Sequence, residues 1–197
     1  MARTRMTRYS AVAIVLHWAI ALCVIALLAA GLWMTTAIHQ PSSRALAFQV
    51  YQLHKSLGLT VLVLSLARLL WRLAHRPPPL PDAMSAFERT AARSTHALFY
   101  ALTIGMPLVG WAMVSASPLG LPTIVFGQFE WPHIPWLADL QDKSAAEAVL
   151  KGAHRTMGYG LIALATLHIA AALKHHFFDR DDVMARMLPI LRRPTKD

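Results

Sequence analysis

The sequence predicts an all-α integral membrane protein, folded as a four-helix transmembrane bundle. Of its 197 residues, 56% are hydrophobic and 15% are charged, whereas a soluble domain has about 25% charged residues. Four apolar runs are each long enough to cross a hydrocarbon core of about 30 Å as a helix. The basic residues flank these runs, which is typical of membrane proteins and argues against binding to nucleic acid.

The order of the elements follows from these apolar runs. The first run is longer than the apolar region of a cleaved secretory signal, about 7–15 residues, so we expect it to be a retained helix. The motif RPPPLP after the second run predicts a loop, and Pro107 predicts a kink in the third helix. We expect a single domain over residues 1–197, with helices over about residues 10–36, 51–73, 94–115 and 153–178.

Two further segments are expected at the membrane surface. The long connection before the fourth helix ends in LADLQDKSAAEAVLKGAH, and this polar stretch is expected to form an amphipathic surface helix. Residues 179–193 predict a second amphipathic segment at the C-terminus.

The distribution of Lys and Arg predicts the orientation of the bundle. Both termini and the second loop share one side, which holds fourteen basic residues: Arg3, Arg5, Arg8, Arg68, Arg72, Arg76, Arg89, Arg93, Lys174, Arg180, Arg186, Arg192, Arg193 and Lys196. The opposite side holds five: Arg44, Lys55, Lys143, Lys151 and Arg155. Because cytoplasmic flanks carry the excess of positive charge, both termini are expected in the cytoplasm.

Seven of the ten histidines lie within the expected spans, where ionisable residues are costly in lipid, and five of these lie before the final HH pair. His154 and His168 are separated by fourteen residues, which is nearly four helical turns. Both imidazoles therefore share one helix face, about 21 Å apart along the axis, with one near each membrane surface. On the outer side only His54 lies at the depth of His154. On the inner side both His17 and His96 lie at the depth of His168, and the residues alone do not choose between them.

The two outer histidines open similar motifs, HKSLG and HRTMG. Each places a glycine, Gly58 or Gly158, at i+4 on the histidine's face, where it leaves room for a flat macrocycle. The adjacent Lys55 and Arg155 are expected to meet carboxylate groups of that macrocycle at the headgroup layer.

This pattern predicts two haem sites rather than another metal centre. Two imidazoles keep an iron six-coordinate, which favours electron transfer over oxygen binding. No carboxylate or cysteine joins the intramembrane histidines. A site with two histidines does not supply the four ligands that tetrahedral zinc requires. The single cysteine, Cys23, excludes an internal disulfide and a thiolate-held iron–sulfur cluster.

Five stretches along the chain form a recognisable set: LHW, HKSLG, RLLWR, HALFYALTIGMPLVGW and HRTMGYGLIALATLHIAAALKHHFFDRDDVMARM. The last is the most specific, because it carries the fourteen-residue spacing and a trailing HH. These stretches resemble the bacterial cytochrome b561 family, within the wider group that includes the b-type subunits of nickel hydrogenases and formate dehydrogenases. The resemblance covers nearly the whole chain.

The resemblance implies two haem b groups with four axial ligands, in the pairs His17/His168 and His54/His154. It also implies a site for a quinone, ubiquinone or menaquinone, near the cytoplasmic-side haem. His175 and Arg72 are candidates to contact that quinone or a haem propionate. The role of His96 stays open.

The function implied is electron transfer across the bacterial cytoplasmic (inner) membrane, between an outer-side donor and the quinone pool. The donor would be a redox partner protein or superoxide. The alternative is a haem-bearing membrane-anchor subunit that carries electrons from a soluble dehydrogenase to quinone. A small proton-relay transporter is disfavoured, because four helices leave little room for inverted repeats.

Overall fold

The computed structural model describes residues 8–81, 84–188 and 190. Its four long helices are each long and apolar enough to cross a membrane, which confirms the expected architecture. In chain order, the helices are α1 (Ala11–Ala37), α2 (Arg44–Ala74), α3 (Ala86–Ser115), α4 (Pro135–Ala138), α5 (Lys143–Phe177) and α6 (Val183–Met187). Five basic residues of the orientation argument lie outside the described residues: Arg3, Arg5, Arg192, Arg193 and Lys196.

Three of the long helices begin earlier than hydropathy predicted. Helices α2, α3 and α5 start seven, eight and ten residues before positions 51, 94 and 153. Hydropathy marks only the part of a helix that crosses hydrocarbon, whereas backbone hydrogen bonding continues into the polar layer. At the start of α3, the hydroxyl of Ser85 accepts from the Glu88 N–H at 3.2 Å, and the Glu88 carboxylate accepts from the Ser85 N–H at 3.0 Å. This capping box stabilises the polar first turn.

The stretch expected as an amphipathic surface helix before the fourth span is largely helical, but it is divided between two helices and continues into the fourth span. Its first residues complete the single-turn helix α4, and from Lys143 onward it forms the first turns of α5. The side chain of Asp142 accepts from the Ala145 N–H at 3.0 Å and starts α5 at this point. At the C-terminus, the expected segment 179–193 contains α6, while residues 189 and 191–193 lie outside the described residues.

A short β-hairpin lies in the connection between α3 and α4, and the sequence did not predict it. Strands β1 (Thr123–Val125) and β2 (Phe129–Trp131) pair antiparallel, with Val125 opposite Phe129. The turn between them places Phe126 and Gly127 at φ 47° and 74°, the left-handed conformation that tight hairpin turns require. Strands of three residues are too short to give a detectable alternation of polar and apolar residues.

The long helices pack in a chain rather than all together. Extensive contacts join α1 to α2, α2 to α3, and α3 to α5. Within the described ranges, neither α1 nor α2 packs extensively against α5. Many large apolar side chains are exposed along the helices, including Val15, Leu22 and Leu70 at 66%, 65% and 66%, as expected where lipid is the solvent. The backbone of α5 therefore stands apart from α1 and α2.

Candidate functional site

The outer pair of histidines joins two helices whose backbones stand apart. His54 on α2 and His154 on α5 place their ring centroids 6.3 Å apart, with an angle of 67° between the ring planes. A metal held between two imidazole nitrogens by bonds of about 2 Å places the ring centroids about 6 Å apart. The separation of His54 and His154 therefore fits one iron ion between the two rings.

The hydrogen bonding of these two rings is incomplete. The Nδ1 atoms of His54 and His154 are buried and form no hydrogen bond within the described residues, although the carbonyl of Met106 lies near His154. Buried polar atoms normally have a partner, because burying them unpaired costs free energy. Because each ring keeps a buried nitrogen without a hydrogen bond, the pair points to a group supplied from outside the chain.

A mostly apolar cavity lies beside this pair and is lined by all four long helices. Gly58 is part of its wall, and a Cβ built on Gly58 would meet no atom within 4 Å. This agrees with the expectation that Gly58 leaves room beside His54. Gly158 instead lies against Met106, whose Cε would be 3.4 Å from an added Cβ, so it does not serve the same purpose.

Two other glycines, which the sequence reading missed, lie against the outer rings. An added Cβ at Gly31 of α1 would stand 3.4 Å from Cε1 of His54, and one at Gly110 of α3 would stand 3.2 Å from Cε1 of His154. Both helices therefore pass close over an imidazole. Gly110 belongs to the quoted stretch of helix three, but a single sequence does not tell which helix face meets a ring.

The inner site contains three histidines rather than two. The ring centroid of His168 on α5 lies 6.3 Å from that of His17 on α1 and 6.1 Å from that of His96 on α3. Phe99 packs edge-on against His168 at 5.2 Å. Both distances fit a shared metal, so distance alone does not select the partner of His168.

Two arginines of α2 extend toward the same end of the bundle. The guanidinium carbons of Arg68 and Arg72 each lie 5.9 Å from the ring centroid of Tyr100 on α3. Arg68 also lies close enough to His17 and His168 to interact with them electrostatically. The family resemblance offered only Arg72 as a contact of the quinone or a propionate, whereas the fold also brings Arg68 to the inner histidines.

His175, near the end of α5, is held by the loop that follows the helix. Its Nδ1 donates to Oδ2 of Asp181 at 2.7 Å and lies 3.0 Å from Oδ2 of Asp179. The side chain is 12% exposed. The sequence reading missed Asp181, although the acidic residues that directly follow the HH pair are a visible signal. Within the described residues no hydrogen bond joins His175 to Arg72, and of the two only Arg72 lines the cavity at this end of the bundle.

At the outer end, Lys55 and its neighbours bind the hairpin connection. Lys55 Nζ donates to the carbonyl of Pro122 at 2.7 Å, and the Oε1 atom of Gln52 accepts from the Ile124 N–H at 3.3 Å. These bonds tie the hairpin to the turn of α2 that carries His54. The other predicted outer cation, Arg155, is exposed.

Ser56 completes this attachment from the buried side of α2. Its hydroxyl is 1% exposed and accepts from the Phe126 N–H at 3.0 Å. The same hydroxyl lies 3.0 Å from the Gln52 carbonyl, to which it donates. The hairpin therefore closes the outer end of the bundle beside His54.

Comparison with known proteins gives consistent relatives along nearly the whole chain. The profile of the family described as prokaryotic cytochrome b561 matches residues 8–189. Cytochrome b561 homolog 2 of Escherichia coli is 34% identical over 182 residues, which cover 92% of this chain and 91% of the relative.

Two further relatives have similar coverage. The probable superoxide oxidase CybB of Yersinia pestis is 30% identical over 183 residues, covering 92% of this chain and 96% of the relative. Cytochrome b561 homolog 1 of Escherichia coli is 29% identical over 189 residues, covering 93% and 98%. The predicted family resemblance is confirmed: the chain belongs to the prokaryotic cytochrome b561 family, and it is a haem-bearing membrane protein of transmembrane electron transport.

Proposed function

We propose that the protein is a di-haem b-type cytochrome that moves single electrons across the bacterial cytoplasmic membrane, from an outer-side donor to the quinone pool. The observation that carries this proposal is the pair of 6.3 Å separations, one between His54 and His154 and one between His17 and His168. Haem iron with two axial imidazoles exchanges electrons without an open position for oxygen. The chain acts as one domain, with both termini in the cytoplasm.

His17, rather than His96, is the proposed partner of His168. Helix α3 packs directly against α5, whereas α1 stands apart from it. A macrocycle between two axial ligands needs space between the helices that carry them, which helices in direct contact do not leave. The outer pair has the same arrangement, since α2 also stands apart from α5. His96 is then a polar neighbour of the inner haem edge.

Cationic side chains at each end are the proposed partners of the haem propionates. Lys55 and Arg155 serve the outer haem, although Lys55 already donates to Pro122. At the inner end Arg72 serves this role, and the position of Arg68 beside His17 adds it as a second candidate.

Superoxide is the proposed donor, because a relative with nearly the same length is named a probable superoxide oxidase. Two superoxide anions each lose one electron to become dioxygen. A quinone, ubiquinone or menaquinone, takes both electrons and two protons to become the quinol. His175, hydrogen-bonded to Asp181, is the proposed group at the cytoplasmic end that contacts the quinone and supplies a proton.

The ligand assignment is tested with His→Ala variants at positions 17, 54, 96, 154 and 168. Haem per chain is measured from pyridine haemochrome spectra, and the two haems are separated by redox titration. We expect His54→Ala and His154→Ala to remove the outer haem, and His17→Ala and His168→Ala to remove the inner haem. His96→Ala is expected to keep both. Loss of the inner haem in His96→Ala with retention in His17→Ala would reverse the inner assignment.

The reaction is tested with purified protein, a xanthine oxidase source of superoxide and a soluble ubiquinone analogue. Quinone-dependent superoxide removal supports the proposal, and each ligand variant is expected to abolish it. Haem reduction by a co-purifying soluble dehydrogenase, without any response to superoxide, would instead favour the membrane-anchor alternative.

A further inference from the structure

A cavity of about 480 Å³ opens at the expected cytoplasmic end of the bundle. It lies where the start of α1, the end of α2, the middle of α3 and the short helix α6 converge. Four guanidinium groups line it, those of Arg8, Arg68, Arg72 and Arg76. The lining contains no Asp or Glu among the described residues, so the cavity carries a concentrated positive charge.

Four carboxylates that the structure describes at this end of the molecule are engaged elsewhere. Glu88 and Asp179 form ion pairs with Lys174 at 2.9 and 2.7 Å. Asp181 binds His175 at 2.7 Å, and Asp182 binds Arg186 at 2.9 Å. Within the described ranges, none of the four cavity arginines forms an ion pair. Their charges are therefore left for an anion from outside the chain.

The first turn of α1 contributes further positive potential. Ser10 and Ala13 line the cavity, and the first turn of α1 contains no acidic residue. Helix α3 starts at the same end of the bundle, but its first turn carries Glu88. The free N–H groups at a helix start favour a negative group, and at α1 the chain itself does not provide one.

The walls of the cavity have the character of a membrane interface. Trp71 stacks on His75 with ring centroids 3.9 Å apart, and its indole N–H donates to the hydroxyl of Ser10 at 3.0 Å. Tryptophan is typical of the headgroup layer, where its ring meets lipid and its N–H meets polar groups. Pro77 and Pro79 also line the cavity and stiffen the chain there.

The four arginines divide into two groups. Arg68 and Arg72 lie over Tyr100 and turn toward the inner histidines, where a haem propionate is their proposed partner. Arg8 and Arg76 line the same cavity and are exposed at its rim, open to the headgroup layer.

We propose that this cavity binds a phosphate group, supplied by the headgroup of an anionic phospholipid, with Arg8 and Arg76 as the rim contacts. Guanidinium groups match phosphate oxygens in paired hydrogen bonds, and basic pockets between helices on the cytoplasmic side suit anionic headgroups. The site does not depend on the proposed electron-transfer reaction.

The test uses the full-length protein with its haems, purified and stripped of lipid in a neutral detergent. Native mass spectrometry measures binding of phosphatidylglycerol and of phosphatidylcholine. We expect preferential binding of phosphatidylglycerol. The double variant Arg8→Gln/Arg76→Gln should weaken it about 25-fold, since each cation near a membrane surface contributes about fivefold. The control Arg89→Gln/Arg93→Gln removes the same charge at the same end but outside the cavity, and should change little.

A competition arm identifies the source of the phosphate. Inorganic phosphate that displaces phosphatidylglycerol at equal concentration would assign the site to free phosphate, and this would overturn the lipid part of the proposal. The expected result is that millimolar phosphate leaves the lipid bound.

Two results would overturn the site itself. The first is equal retention of phosphatidylglycerol by the wild type and Arg8→Gln/Arg76→Gln. The second is a shift in the inner-haem potential of that variant with no change in lipid binding, which would make the propionates the occupants. If the variant loses haem, binding of the two phospholipids to the wild type is compared instead. Equal binding of phosphatidylglycerol and phosphatidylcholine to the wild type would contradict the proposal.

Discussion

His54 and His154 hold their ring centroids 6.3 Å apart, although the helices that carry them do not pack extensively against each other. Side chains usually come this close because their helices are in contact. Here both rings line the same cavity, and both have a buried nitrogen without a hydrogen bond among the described residues. This relationship supports the proposal that the two rings hold one haem iron between them.

The space beside His54 is expected to be essential for the outer haem. Gly58→Leu would place an isobutyl group in the cavity wall, where an added Cβ now meets nothing. We expect haem content to fall from about two to about one per chain, measured by haemochrome spectra. Gly160→Leu is the matched control, because Gly160 is exposed on α5 and also has open space around it. Equal haem content in the two variants would contradict this role of Gly58.

The attachment of the hairpin to α2 is expected to stabilise the outer end. Ser56→Ala removes the acceptor of the Phe126 N–H and leaves that donor unpaired. An unsatisfied buried group costs about 1–3 kcal/mol, so the midpoint of thermal unfolding should fall by several degrees. Proteolysis within residues 117–134 should also become faster.

Thr166→Ala is the control for that measurement. The Thr166 hydroxyl is exposed and donates only to the Ile162 carbonyl of its own helix, at 2.9 Å. Its removal should change stability by less than about 0.5 kcal/mol. An equal loss of stability in Ser56→Ala and Thr166→Ala would show that the hydrogen bond to the hairpin does not stabilise the outer end.

Asp181 is expected to act through His175 in quinone reduction. Asp181→Asn replaces the carboxylate that accepts from Nδ1 of His175. We expect quinone reduction to slow at least about tenfold, since positioned proton donors contribute about 10²–10⁴-fold. Haem content and the single-turnover reduction of the haems by superoxide should stay unchanged.

Two further variants make this test specific. Asp181→Glu keeps a carboxylate and should restore part of the rate, whereas Asp139→Asn, at an exposed site near α4, should have no effect. If Asp181→Asn also slows haem reduction by superoxide, its role is structural rather than local to the quinone.

The excess of basic residues predicts the orientation of the bundle. A fluorescent protein fused after Asp197 should fluoresce, because it would fold in the cytoplasm. Alkaline phosphatase inserted between Gln40 and Pro41, in the first outer loop, should be active. Activity of a phosphatase fused after Asp197 would mean that the termini lie outside.

The sequence by itself determined that there are four apolar spans and which histidines lie within them. Lipid offers no hydrogen-bond partners, so each crossing must be a long apolar helix, and hydropathy reveals such runs directly. The fourteen-residue spacing of His154 and His168 is also a one-dimensional property, because one helix fixes their common face and their separation. These features depend on one helix at a time.

The tertiary structure decided everything that depends on how helices and loops are placed beside one another. It brought His96 as close to His168 as His17 is, set Gly31 and Gly110 against the outer rings, and joined His175 to Asp181. It also gathered Arg8 and Arg76 at the rim of one cavity. Such contacts arise between segments far apart in the chain, and their geometry follows from packing angles that local residue patterns do not encode.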